Sequence, residues 1–87
     1  MNKALLTFSN GEKLELYENQ LVIPIGKLII DNKTTVSQQP THELWYHSSA
    51  GMIPSITELL VKYEFFHLLD NSDKIYKSSA VVTVENL

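Results

Sequence analysis

The sequence predicts an α+β domain, a bent and mostly antiparallel sheet or small open barrel of five to six strands with one helix packed on it. Two observations carry this. Short runs with period-two alternation of apolar residues recur up to His47 and again from Lys74 to Leu87, separated by Asn, Gly, Asp and Pro turn formers. A single stretch, from Pro54 to Leu69, instead repeats its apolar residues at helical spacing.

The chain opens with Ala4-Leu-Leu-Thr-Phe8 and Lys13-Leu-Glu-Leu-Tyr17 on either side of Ser9-Asn-Gly-Glu12, a hairpin signal because Asn and Gly tolerate positive φ. A two-residue Asn-Gly turn would leave Leu6 and Phe8 on the face with Lys13 and Glu15. A three-residue loop with Gly11 in the left-handed region instead aligns Ala4, Leu6 and Phe8 with Leu14 and Leu16, and that register is expected. After a turn at Glu18-Asn19, Gln20–Ile25 reads as a third strand with Leu21, Ile23 and Ile25 on one side. Pro24 cannot donate to a ladder, so the strand is expected at an edge or interrupted there, resuming at Lys27–Asp31. Asn32-Lys33 turns into a β-branched run, Thr34–Ser37, and Gln38–Thr41 reads as a mobile connection. His42–His47 alternates as a strand, with Leu44 and Tyr46 on one face and Glu43, Trp45 and His47 on the other. Lys74–Leu87 is expected to be the last strand, with Tyr76, Ala80, Val82 and Val84 on one face and Val81, Thr83 and Glu85 on the other.

Ser55 followed by Glu58 fits a capping box, so the helix is expected to run from Ser55 to Leu69. Ile56, Leu59, Leu60, Tyr63 and Phe66 make the stripe that would face the sheet. Val61, Phe65, Leu68 and Leu69 make a second cluster, and one helix on one sheet buries only one broad face. Two covers are open at this stage. The flanking loops, with Met52 and Ile53, fold over the cluster, or it is a partner surface and the chain is a homo-oligomer built on these residues.

Eighty-seven residues suffice for one domain, 1–87, and its 44% apolar content suits a packed core. Absence of cysteine excludes disulfides and thiolate metal sites and fits a cytoplasmic location. The opening Met1-Asn-Lys-Ala-Leu-Leu-Thr-Phe has only a brief apolar run, too short for a signal segment or membrane span, so no membrane partner is expected. Net charge is −3, and all seven basic residues are scattered lysines. Without an arginine fork, direct nucleic-acid binding is disfavoured.

No catalytic residue, cofactor or metal site is assigned. His42 and His47 point to opposite faces of their expected strand, and no helical His pair exists. His67 is expected as a half-buried structural histidine bonded to a carbonyl or carboxylate. Ser48, Ser49 and Ser55 lie near His47, but no nucleophile elbow surrounds them and Ser55 is accounted for as a cap. The candidate partner surface is Trp45, Tyr46 and His47 followed by Ser48-Ser-Ala-Gly51, with Trp45, His47, Ser48 and Ser49 as its binding residues, because tryptophan and tyrosine are enriched at binding hot spots. The alternative is that Trp45 packs beneath residues 32–41.

The segments Leu6-Thr-Phe-Ser-Asn-Gly-Glu-Lys-Leu14 and Ile75-Tyr-Lys-Ser-Ser-Ala-Val-Val-Thr-Val-Glu85 together resemble the small accessory proteins of phages and prophages of low-GC Gram-positive bacteria. That resemblance implies a non-catalytic binding role in the host cytoplasm, inhibiting or redirecting a host factor such as an immune-defence protein. Two alternatives stand beside it: an oligomer that sequesters a small molecule or nucleotide, and a component of virion assembly. It transfers no functional residue.

Overall fold

The computed structural model describes residues 2–87, except for the side chains of residues 27–30. It is α+β, with eight strands in two sheets and one α-helix among the described residues. In chain order these are β1 (Lys3–Phe8), β2 (Lys13–Tyr17), β3 (Leu21–Ile30), β4 (Lys33–Gln38), β5 (His42–Glu43), α1 (Ile53–Lys62), β6 (Phe65–Leu68), β7 (Asn71–Lys77), a 3₁₀ turn (Ser78–Ala80) and β8 (Val81–Asn86). The smaller sheet has the order β2-β1-β8, and the larger β4-β3-β6-β7, with β5 beside the start of β3. The five to six strands expected in one bent sheet are therefore eight in two sheets.

The first hairpin has the three-residue loop. Ala4 pairs with Leu16 and Leu6 with Leu14, Gly11 adopts φ +88°, and Phe8 N–H donates to Glu12 O. On the other side of β1, Phe8 pairs with Val81 but Thr7 with Thr83, so Val82 is an extra residue in β8. That bulge turns Val82 out to solvent and places Val81 and Val84 against the core, a correction to the face assignment expected from simple alternation.

β3 runs through Pro24 without interruption and lies inside its sheet. The opposing chain accounts for this. β5 pairs with Leu21 and Val22, β4 pairs from Ile25 onward, and the Gln39–Thr41 connection bulges between them. Pro24 O accepts from Gln39 N at 2.9 Å, so the side of Pro24 that lacks a donor faces the bulge, where no ladder bond is due. Val22 and Pro24 face the core shared with the small sheet, while on the other side of β3 Ile23 and Ile25 are also buried and Leu21 is exposed. The turn after β3 is Asp31-Asn32, both at positive φ, one residue earlier than expected.

The helix is shorter than its apolar pattern suggests. It spans Ile53–Lys62, with Met52 at the N-cap, and the chain becomes extended at Tyr63, φ −130°. Phe65–Leu68, expected to be helical, is strand β6, held between β3 and β7. An aromatic, apolar run with neighbours on both edges is stable as a central strand, and here strand pairing prevails over the helical spacing. The expected interface cluster is consequently dispersed. Val61 is 79% exposed on α1, Phe65 and Leu68 point to opposite faces of β6, and Leu69, 53% exposed, lies beyond it. The last expected strand likewise divides into β7 and β8, which belong to different sheets.

One core joins these parts. Ala4, Leu6, Phe8 and Leu16 from the small sheet meet Val22, Phe66 and Tyr76 from the large one, with Leu44, Met52, Ile56 and Leu59 closing the side. The Tyr76 ring lies between Phe8, 5.2 Å away at 25°, and Phe66, 5.4 Å away at 22°. Phe66→Ala removes the largest fully buried side chain and is expected to cost about 3–5 kcal/mol in a urea unfolding titration. Phe65→Ala, on the opposite face of the same strand, is expected to cost less; equal losses would contradict the strand assignment of β6.

Candidate functional site

The segment between β5 and α1, residues 44–52, carries the sequence-predicted binding residues. The strand expected through His47 ends at Glu43, because Leu44 turns inward and is bonded on both sides. Its N–H donates to Gln20 O at 3.0 Å, and its carbonyl accepts from Asn19 N at 2.8 Å. Past that anchor the alternation is lost. Trp45 and Tyr46 are both turned out, 40% and 45% exposed, although Tyr46 was expected beside Leu44. Trp45 is accordingly not packed away beneath the connection.

Three polar ties hold this loop. Trp45 N–H donates to Ser55 Oγ at 3.1 Å, and His42 Nε2 meets the same hydroxyl at 3.3 Å. Ser55 is thus a buried latch in the first turn of α1, not a capping-box N-cap, and Glu58 is bonded to Lys62 at 2.9 Å instead. That bond to the Lys62 ammonium holds the Glu58 carboxyl below its ordinary value. At the loop tip His47 and Gly51 exchange backbone hydrogen bonds of 2.7 and 2.8 Å. His47 Nδ1 accepts from Ser49 N and Ala50 N, so the proton of the neutral ring belongs on Nε2. The Ser49 hydroxyl also meets Nδ1 at 3.1 Å. Finally, Asn86 on β8 accepts from Met52 N at 2.9 Å and donates to Ala50 O at 3.0 Å. Gly51 is required there, since its φ is +68° and an added Cβ would lie 2.5 Å from the Asn86 amide.

The four expected site residues are therefore neighbours with different surroundings. The Trp45 and His47 rings are 6.3 Å apart and tilted by 57°. Ser48 and Ser49 line a cavity of about 190 Å³ with Tyr46, Lys3 and Asn86. Its cation is already engaged, because Lys3 is bonded to Glu15 at 3.0 Å, which raises the lysine and lowers the carboxyl from their ordinary values. Tyr46 belongs to the segment that residue type alone singles out, whereas nothing in the sequence points to Asn86 or to its close approach to Gly51.

Elsewhere, a wider cleft of about 490 Å³ lies where α1 ends against β7, lined by Val61, Lys62, Tyr63, Lys77 and Ser79. His67 is buried on β6. Its Nδ1–H donates to Leu68 O at 2.8 Å, leaving Nε2 to accept from the Gln38 amide at 3.5 Å, so both ring nitrogens have structural partners. The carbonyl bond matches the structural role expected of it, on a strand instead of a helix. Among the described residues no three His, Asp or Glu side chains converge as metal ligands, and no helix is long and apolar enough to cross a membrane.

Ser55→Ala leaves Trp45 N–H without its acceptor and is expected to cost about 1–3 kcal/mol by urea unfolding. A neutral result would mean that the hydroxyl is not what holds the loop. Compared with protein-family models, curated proteins and solved structures, the chain matches none.

Proposed function

We propose that this protein acts without catalysis, by binding another protein through Trp45, Tyr46 and His47. The observation that carries this reading is the pair of adjacent exposed aromatics on a loop tied to the β2–β3 turn, α1 and β8. Tryptophan and tyrosine provide large contact areas and dominate binding hot spots. A loop already held in one conformation loses little entropy on docking, so more of the contact energy becomes affinity. With the resemblance to phage accessory proteins, the partner is a host factor met in the host cytoplasm, and an immune-defence protein fits that role.

Two serine–histidine contacts bear on catalysis, and the nearer, Ser49 Oγ to His47 Nδ1 at 3.1 Å, involves a ring nitrogen that already accepts from the Ser49 and Ala50 amides. In the other, Ser55 Oγ contacts His42, but Ser55 is fully buried and its hydroxyl is occupied by Trp45 N–H. Sequestration of a nucleotide is less well supported. The cavity beside Ser48 and Ser49, about 190 Å³, is smaller than the roughly 300–1,000 Å³ of typical small-molecule sites, and its lysine is paired.

The test is affinity purification from the producing host with wild type and Trp45→Ala, followed by titration of the partner so identified. Trp45→Ala is expected to weaken binding by about 2 kcal/mol or more, roughly 30-fold, with the fold retained. Undiminished affinity in Trp45→Ala would sink the reading. A small molecule released on denaturing the purified protein, with no protein partner, would favour sequestration.

A further inference from the structure

A strand edge left open by a fold offers unpaired backbone groups to any other strand, and proteins normally block it with charge, proline or a bulge. The outer strands β2, β7 and β8 are so guarded, and β5 is only two residues long and carries Glu43. β7 carries Asp73, Lys74 and Lys77 and shifts register against β6; β2 alternates Lys13 and Glu15; β8 carries Glu85 and the Val82 bulge. β4 is different. Lys33–Gln38 pairs with β3 in continuous register, with no proline and one charge, at the turn.

The ladder shows which of its groups are free. Gln20 O accepts from Leu44 N and Pro24 O from Gln39 N, so even-numbered residues of β3 address this edge, while Leu21 O faces β6 and accepts from Leu69 N. Alternation then bonds Gly26, Leu28 and Ile30 to Ser37, Thr35 and Lys33. The N–H and C=O groups of Thr34, Val36 and Gln38 point outward, and among the described residues none of them has a backbone partner.

We infer that β4 is a dimerisation strand whose occupant is β4 of a second copy, paired antiparallel about a two-fold axis at Val36. This register matches free groups to free groups, with Val36 opposite the partner's Val36 and Thr34 opposite the partner's Gln38. It also suits the charges. Along the edge of β3, Lys33 stands beside the Asp31-Asn32 turn at one end and Glu43 on β5 at the other, so two-fold pairing directs Lys33 of each copy toward the Glu43 end of its mate and away from the mate's Lys33. Val36, 61% exposed in the single chain, gains an apolar neighbour at the axis. Pro40 and the bulge opposite Pro24 confine the pairing to β4.

The test is sedimentation of the intact chain from micromolar to millimolar concentration, with amide exchange measured over the same range. Wild type is expected at twice the 9.9 kDa chain mass in the upper part of the range. Exchange at Thr34, Val36 and Gln38 is expected to slow as the dimer forms. Val36→Pro deletes only an outward donor and leaves the β3 ladder intact, and Val36→Lys places like charges at the axis; both are expected to be folded monomers. A wild type that stays at single-chain mass, a mass that climbs past the dimer, a dimer that survives Val36→Pro, or concentration-independent exchange at those amides would each overturn the inference.

Discussion

The Tyr76 ring, stacked between Phe8 and Phe66, is the contact on which the rest of the molecule depends. Phe8 belongs to β1 of the small sheet and Phe66 to β6 of the large one, so this stack joins two sheets that share no strand. The Lys74 ammonium lies over the same ring, 5.3 Å from its centre, and is bonded to Glu12 in the first hairpin, which closes the exposed rim. Stabilities of about 0.05–0.15 kcal/mol per residue give a chain of this length roughly 4–13 kcal/mol in all. Losing one ring from the stack is therefore a large fraction of the whole.

From that joint the chain must return β6 to the large sheet immediately after α1, and this requirement shortens the helix. Tyr63-Glu-Phe-Phe-His-Leu contains both patterns at once. Phe66 falls on the helical stripe, and it also alternates with Phe65 and His67 as strand residues do. Nothing local separates the two, because what decides between them is the presence of β3 and β7 on either side. The first hairpin is the opposite case. Gly11, together with the alternation of Leu6, Phe8, Leu14 and Leu16, specifies loop length and register from neighbours only a few residues apart, so both were legible without the fold. The same division holds for Pro24. That it would disturb a ladder was legible; that the disturbance would fall on the opposing chain as a bulge at Gln39–Thr41 depended on two strands meeting along one edge of β3.

The candidate site shows how far residue type alone carries. Trp45 stood out because an isolated tryptophan on a polar face is unusual, and in the fold it is 40% exposed. Tyr46 lay in the segment singled out with it, but its outward turn was hidden by the assumption that alternation continues, whereas Leu44 ends the strand by bonding to Asn19 and Gln20. Asn86 was beyond reach, being thirty-four residues from the Met52 amide that it caps.

These ties also couple the loop to the ends of the fold. Met52, the helix N-cap, has no side-chain cap of its own and is held instead by Asn86, the last residue of β8. β8 is in turn held to β1, whose Phe8 stacks on Tyr76. A disturbance that frees β8 from β1 thus removes the support of the helix start and of the aromatic loop together. Exposed aromatics are costly on a surface and useful on a rigid one, and here rigidity comes from a strand distant in sequence, not from the loop itself.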